Sequence, residues 1–260
     1  MNFSKGAPEG GLQFPLTKEA LEALPPSKLA SPRVGNPHGL EAIHADLIEN
    51  IDAYALEVLA VRSMVARGEM PWDFLEKYWP EQWGPFDRKA GTILTEYAGL
   101  SFDDPMGLAN VVHMDSPNDL PKYAIRYLLE TGAKPKQANP GCIDFLEYVP
   151  ETERKLAEAV ERNLVKAFEA KYYYGVARPE EYYGTNITHY PEGCPTHPSF
   201  PAGHSGAASA LSVLLSRFDC NETQIQDIRF AAYAWGQFRT FAGVHYAPDN
   251  IAGLKLGGLL

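Results

Sequence analysis

The sequence predicts an all-α fold, a helical bundle with long connections. Between His38 and about Arg67 the apolar residues Leu40, Ile43, Leu47, Ile51, Tyr54, Val58 and Val61 recur every three or four positions, the period of one face of an amphipathic helix. Residues 151–174 are dominated by Ala, Glu, Lys and Leu, all strong helix formers. No segment shows convincing alternation of apolar and polar residues, so strands are not expected.

Taken in order, residues 1–37 are rich in Pro and Gly, with one short helix expected from Thr17 to Leu24. They form an extended arm that wraps over its own domain or reaches a neighbouring subunit. The helix from His38 to Arg67 spans roughly seven or eight turns and ends at Gly68. From Pro71 to Ala98 the chain carries Trp72, Trp79 and Trp83, interrupted by Pro80 and Pro85. Short helices contributing aromatic core are expected there, since aromatic clusters are more often packing than a cofactor site. Further helices are expected over Asp119 to Thr131, Glu151 to Tyr174, His204 to Phe218 and Asn221 to Gln237, and a last one starts near Pro248. Residues 38–260 are of a size that one core serves, so a single catalytic domain is expected.

Composition excludes several classes of partner. The net charge of −10 disfavours nucleic acid and anionic membranes, which select basic faces. No run of about 18 apolar residues exists, so no membrane span is expected. The start, MNFSKGAPEGG, lacks the apolar core of a secretory signal, and a cytoplasmic location is the expectation. Cys142, Cys194 and Cys220 cannot all pair within one chain, and their spacing fits no zinc site; buried or incidental thiols are expected.

Against that acidic background, six residues stand at telling intervals. Lys171 and Arg178 bracket K-YYYGVA-R-P, His204 ends F-P-A-G-H, and Arg239, His245 and Asp249 are spaced through R-TFAGV-H-YAP-D. Three cations and two imidazoles suit the task of holding a tetrahedral oxyanion and helping it become five-coordinate. Gly203 precedes an Ala-rich helical run, so its N–H is expected at a helix amino terminus, where free donors and the helix dipole favour anions. Asp249, four residues after His245, is expected to fix the imidazole tautomer. His38, His44, His113 and His189 fit none of these intervals, and surface or capping roles are expected for them.

These blocks, in this order, resemble the superfamily that unites vanadium-dependent haloperoxidases with acid phosphatases and lipid phosphate phosphatases of the type-2 phosphatidic acid phosphatase kind. Its signature runs K-x6-R-P, then P-S-G-H, then S-R-x5-H-x3-D, and the likeness here covers residues 171–253. Two positions depart from it: Ala202 and Phe238 stand where the family has serine. The approach T-H-P-S-F-P, with His197 seven positions before His204, looks like the bromoperoxidase branch.

The resemblance implies a helical bundle with vanadate as cofactor, or phosphate occupying the same site. It implies His245 as the ligand of vanadium, with Lys171, Arg178, Arg239 and the backbone at Ala202 and Gly203 around the equatorial oxygens. His204 would act as acid and base toward hydrogen peroxide, with His197 and Asp249 assisting. The implied reaction is oxidation of halide, bromide or iodide rather than chloride, to hypohalous acid that acts on an organic acceptor. A phosphomonoesterase reading uses the same residues: His245 attacks phosphorus, Asp249 orients it and His204 protonates the leaving alkoxide. A third reading, motivated by Ala202, is a non-catalytic oxyanion-binding protein. A homo-oligomer, most simply a dimer, is expected, with the arm and the aromatic segment contributing apolar surface.

Overall fold

The computed structural model describes residues 38–111, 119–136, 145–184 and 197–260. The arm of residues 1–37, His113, Cys142, His189 and Cys194 lie outside the described residues. The architecture is mostly helical, as the sequence predicts. Helices α1 (Glu41–Glu49) and α2 (Ile51–Ala66) are followed by α3 (Trp72–Lys77), a 3-10 turn (Glu81–Trp83) and a π-helical turn (Ile93–Tyr97). Next come α4 (Pro105–Asn110), α5 (Asp119–Glu130), α6 (Phe145–Tyr174) and α7 (Pro179–Tyr183). The bundle is completed by α8 (Ser205–Arg217), α9 (Glu222–Phe241) and α10 (Ala247–Leu256). One antiparallel pair, β1 (Lys134–Pro135) with β2 (Phe218–Asp219), ties the end of α5 to the end of α8.

The first amphipathic segment is two helices rather than one. Asn50 leaves helical geometry at φ −113°, ψ 20°. Its side-chain amide donates to the Asp46 carbonyl at 3.1 Å and to Asp46 Oδ1 at 3.0 Å. Asparagine side chains compete for helix carbonyls in this way and break the run locally. The apolar stripe continues across the break, since Leu47 and Ile51 are both buried, so periodicity alone does not reveal it. Helix α6 begins at Phe145, six residues before the expected start, and carries its helical path through Pro150. Helix α9 extends to Phe241, one turn past Gln237, because Phe238 and Phe241 on that turn are both fully buried.

Helices α6 and α8 pack along one another through small residues, Ala159, Ala167 and Ala170 on one and Ala207, Ala208 and Ala210 on the other, all buried. Helix α10 lies across α8 and α9 and also touches α1 and α6. The larger core cluster takes in the aromatic segment, where the Trp79 ring stands edge-on to Trp83 at 5.1 Å and to Tyr233 at 5.3 Å. Trp79 and Trp83 are thus buried by their own chain, and Leu259 and Leu260 pack on the same cluster. Trp79 and Trp83 therefore do not supply the exposed apolar surface expected of the aromatic segment.

A second cluster joins Leu40, Leu47, Ile51, Ala55 and Val58 of the first two helices to Ala170, Tyr174, Phe200 and Tyr246. It backs the polar site described below. His44 belongs with this cluster rather than at the surface or a helix cap. Its ring lies 4.4 Å from that of Tyr174 and 5.6 Å from that of Phe200, and burial lowers its pKa to about 4. Among the described residues no helix is long and apolar enough to cross a membrane.

Candidate active site

Five helix ends converge on the site. Lys171 occupies the last turn of α6, which Gly175 closes at φ 63° with its N–H on the Lys171 carbonyl at 2.9 Å. The Lys171 ammonium is fully buried and donates to the carbonyls of Pro198 at 2.9 Å and Ser199 at 2.7 Å. Pro179 excludes helical geometry from the residue before it, so Arg178 is extended at φ −73°, ψ 159°, and Glu181 Oε2 takes its N–H at 2.8 Å. That turn drives the Arg178 side chain inward.

The Arg178 guanidinium donates from Nε to the His197 carbonyl at 2.9 Å and from Nη1 to the Val244 carbonyl at 2.6 Å. Its Nη2 lies 3.1 Å from His197 Nδ1, and Nη1 lies 3.5 Å from His245 Nε2. A guanidinium only donates, so His245 Nε2 faces it with its lone pair, while His197 Nδ1 lies between Arg178 and the Pro198 carbonyl, 3.2 Å away. His245 Nε2 is thereby left as a basic atom pointing at cations.

The opposite nitrogen of His245 is held by Asp249. Gly243, at φ 79°, turns the chain from α9 into α10, and Arg239 in the last turn of α9 accepts the Val244 N–H at 3.1 Å. Arg239 thus sits within α9 rather than after it, on the extra turn that Phe238 and Phe241 bury. Asp249 Oδ2 accepts from His245 Nδ1 at 2.9 Å, from the Tyr246 N–H at 3.0 Å, and from the Ser199 hydroxyl. The Ala202 N–H donates to the Asp249 carbonyl at 2.9 Å, which fixes the loop before α8 against the start of α10. His204 stands at the N-cap of α8 and Gly203 directly before it. A Cβ added at Gly203 would meet no atom within 4 Å, so the backbone there borders open space.

The electrostatics are lopsided. Burial, then Arg178, Lys171 and Arg239, hold the His245 imidazole well below its ordinary pKa. His204 is lowered in the same way by burial, Arg239, Lys171 and Arg178, and His197 is lowered to about 3 by burial, Lys171 and Arg178. The Lys171 ammonium is itself lowered by burial and by Arg178. Asp249 is raised to about 6 by burial, against the opposing pull of the Ser199 hydrogen bond and Lys171. Among the described residues, Lys171, Arg178 and Arg239 thus gather with three imidazoles of lowered pKa around the Asp249 carboxylate, a setting that suits an anion.

Stability should respond to acid with a definite sign. His44, His197, His204 and His245 all bind protons more weakly in the fold than in the unfolded chain, so protons favour unfolding as the pH drops below the ordinary imidazole value. Asp249, with its pKa raised, acts in the opposite sense between its ordinary value and about 6, but it is one group against four. Urea unfolding of the anion-free protein should give a lower midpoint at pH 5 than at pH 7.5.

The structure brings together Lys171, Arg178, His197, Ala202, Gly203, His204, Arg239, His245 and Asp249. Phe238, one of the two departures from the family pattern, points into the core, its ring 5.4 Å from that of Phe241. Ser199 is the site residue that sequence reasoning passed over. Its only sequence signal is a hydroxyl placed between Pro198 and Phe200, and buried polar groups of that kind are nearly always hydrogen-bonded.

Residues 157–260 match the family model of the PAP2 superfamily, and that span holds every residue of the site. No curated protein and no solved structure matches the chain. This carboxyl-terminal segment is accordingly similar to a superfamily that includes phosphatases and haloperoxidases.

Proposed function

We propose that the protein is an enzyme that holds a tetrahedral oxyanion against His245 Nε2, and that it works as a vanadate-dependent haloperoxidase on bromide or iodide. The observation that carries the oxyanion reading is the buried set of Lys171, Arg178 and Arg239 gathered around His245, whose imidazole those cations and burial hold well below its ordinary pKa. The donor set fits vanadate: hard cationic N–H groups, a basic imidazole nitrogen and a glycine backbone bordering open space. Lys171, Arg178, Arg239 and Gly203 would hold the oxygens of the group and His245 its central atom. Bound vanadate would supply activation of hydrogen peroxide for two-electron oxidation of halide.

The chain's own groups have separable tasks. Asp249 keeps the proton of His245 on Nδ1, so Nε2 keeps its lone pair. Burial and the nearby cations lower the proton affinity of His204; a bound anion would raise it again, which readies it to pass a proton to or from the bound group. His197 stands beside Arg178, its Nδ1 3.1 Å from Nη2, and its place in T-H-P-S-F-P favours the haloperoxidase reading.

The phosphomonoesterase reading keeps one observation on its side. An Asp-held imidazole with a free Nε2 is also the arrangement of a histidine nucleophile, attacking phosphorus while His204 protonates the leaving alkoxide. Both readings require one tetrahedral oxyanion per chain. Calorimetric titration of phosphate-stripped protein with orthovanadate should give that stoichiometry, and absence of binding would contradict both.

Ala202 offers a gain-of-function check. Its backbone is anchored to Asp249 at 2.9 Å, so Ala202→Ser adds a hydroxyl with little other change. Vanadate affinity should rise by at most about 1.5–3 kcal/mol, one hydrogen bond to a charged group. Unchanged or weaker binding in the same titration would mean that the loop does not face the anion.

A further inference from the structure

We infer that Ser199 is a positioning residue for the reactive imidazole: its hydroxyl holds the Asp249 carboxylate in the rotation at which Oδ2 accepts from His245 Nδ1. The inference rests on the proposed function for what His245 does, and on hydrogen-bond geometry for the rest.

Asp249 is held from one side only. Oδ2 collects three donors, the Ser199 hydroxyl, His245 Nδ1 at 2.9 Å and the Tyr246 N–H at 3.0 Å, while the equally buried Oδ1 has no partner among the described residues. The terminal torsion of an aspartate is broad, so the donors rather than rotamer preference fix the carboxylate plane. One of the three donors is the imidazole that has to be positioned. The Tyr246 N–H belongs to the backbone at the start of α10, the helix that carries Asp249 itself. Ser199 is the remaining donor, and it reaches the carboxylate from a separate part of the chain.

The hydroxyl is itself firmly placed. Ser199 is fully buried, its N–H donates to the Val176 carbonyl at 2.8 Å, and its carbonyl accepts from Lys171 Nζ at 2.7 Å. The next residue, Phe200, packs its ring edge-on against Tyr174 at 5.1 Å. The hydroxyl also lies 3.3 Å from His245 Nδ1, so it borders both members of the pair. One residue therefore serves two duties through different atoms. Its carbonyl anchors a cation of the anion cradle, and its side chain orients the Asp249–His245 pair, so removing the side chain separates the two.

Ser199→Ala provides the test. Vanadate affinity of the anion-free protein should fall less than turnover, because Lys171 keeps its carbonyl partners and the cations still hold the oxyanion while a misaligned His245 engages it less well. Turnover should fall roughly 10- to 100-fold, the range for losing a group that orients a ligand histidine. In histidine-labelled protein, the His245 Nδ1–H signal should exchange faster with solvent and move away from its hydrogen-bonded position. Unchanged turnover with an unchanged signal would overturn the inference. Affinity and turnover falling by the same factor, with the signal unmoved, would also overturn it, by giving the hydroxyl a merely structural part. Should Ser199→Ala not fold, Ser199→Cys carries the same test, since a thiol occupies the position but donates weakly. If wild-type protein takes up neither vanadate nor phosphate, the proposed function fails, while the His245 signal in the anion-free protein still decides the role of Ser199.

Discussion

His245→Ala is expected to abolish stoichiometric vanadate retention and to lower turnover by roughly 10⁴-fold or more, the scale on which enzymes lose activity when a covalent nucleophile is removed. The reason is positional. His245 Nε2 is turned toward the cations, 3.5 Å from Arg178 Nη1, and among the described residues His245 is the site imidazole whose other nitrogen is held by a carboxylate. Equilibrium dialysis of anion-free variant protein measures the loss, with helical circular dichroism as the check on folding. Wild-type vanadate binding by a folded variant would refute the assignment.

Asp249→Asn should also lower turnover, although it changes only one atom of the side chain. Oδ2 receives His245 Nδ1 at 2.9 Å and the Tyr246 N–H at 3.0 Å. The Tyr246 N–H only donates, so the amide oxygen takes that place, and His245 keeps its tautomer but faces a neutral acceptor in place of a carboxylate. An imidazole that loses its charged orienting partner is a weaker ligand and base, and a loss of roughly 10- to 100-fold is expected. Stability should change in the other direction. The carboxyl pKa is raised to about 6 by burial, so exchanging the carboxylate for a neutral amide removes an unfavourable buried charge at neutral pH. A variant that is less active by that factor yet unfolds no more easily than wild type would fit; fully retained activity would not.

Much of this was readable from the sequence, for definite physical reasons. Helices with a continuous apolar stripe announce themselves, and the motif residues stand out because cations and imidazoles at fixed intervals have no packing explanation. What stayed hidden turns on contacts between distant segments. The break at Asn50 depends on a side chain bonding to Asp46 while the stripe runs on through Leu47 and Ile51. The extra turn of α9 that carries Arg239 follows from where Phe238 and Phe241 are buried, which spacing does not encode. His44 reads as a surface histidine until Tyr174 and Phe200 are placed against it. Ser199 reads as loop filler until α10 brings Asp249 beside it. The tryptophans of the aromatic segment suggested an interface, whereas α9 already buries two of them.

The central claim is that the oxyanion at His245 is a resident cofactor rather than a passing substrate, and the sign of the response to orthovanadate tests it most directly. Anion-free protein is assayed in parallel for bromide oxidation with hydrogen peroxide and for hydrolysis of an aryl phosphate, each across a vanadate titration. Bromide oxidation is expected to appear with vanadate and to saturate at one equivalent per chain. Aryl phosphate hydrolysis that vanadate suppresses, with no bromide oxidation at any vanadate concentration, would contradict it.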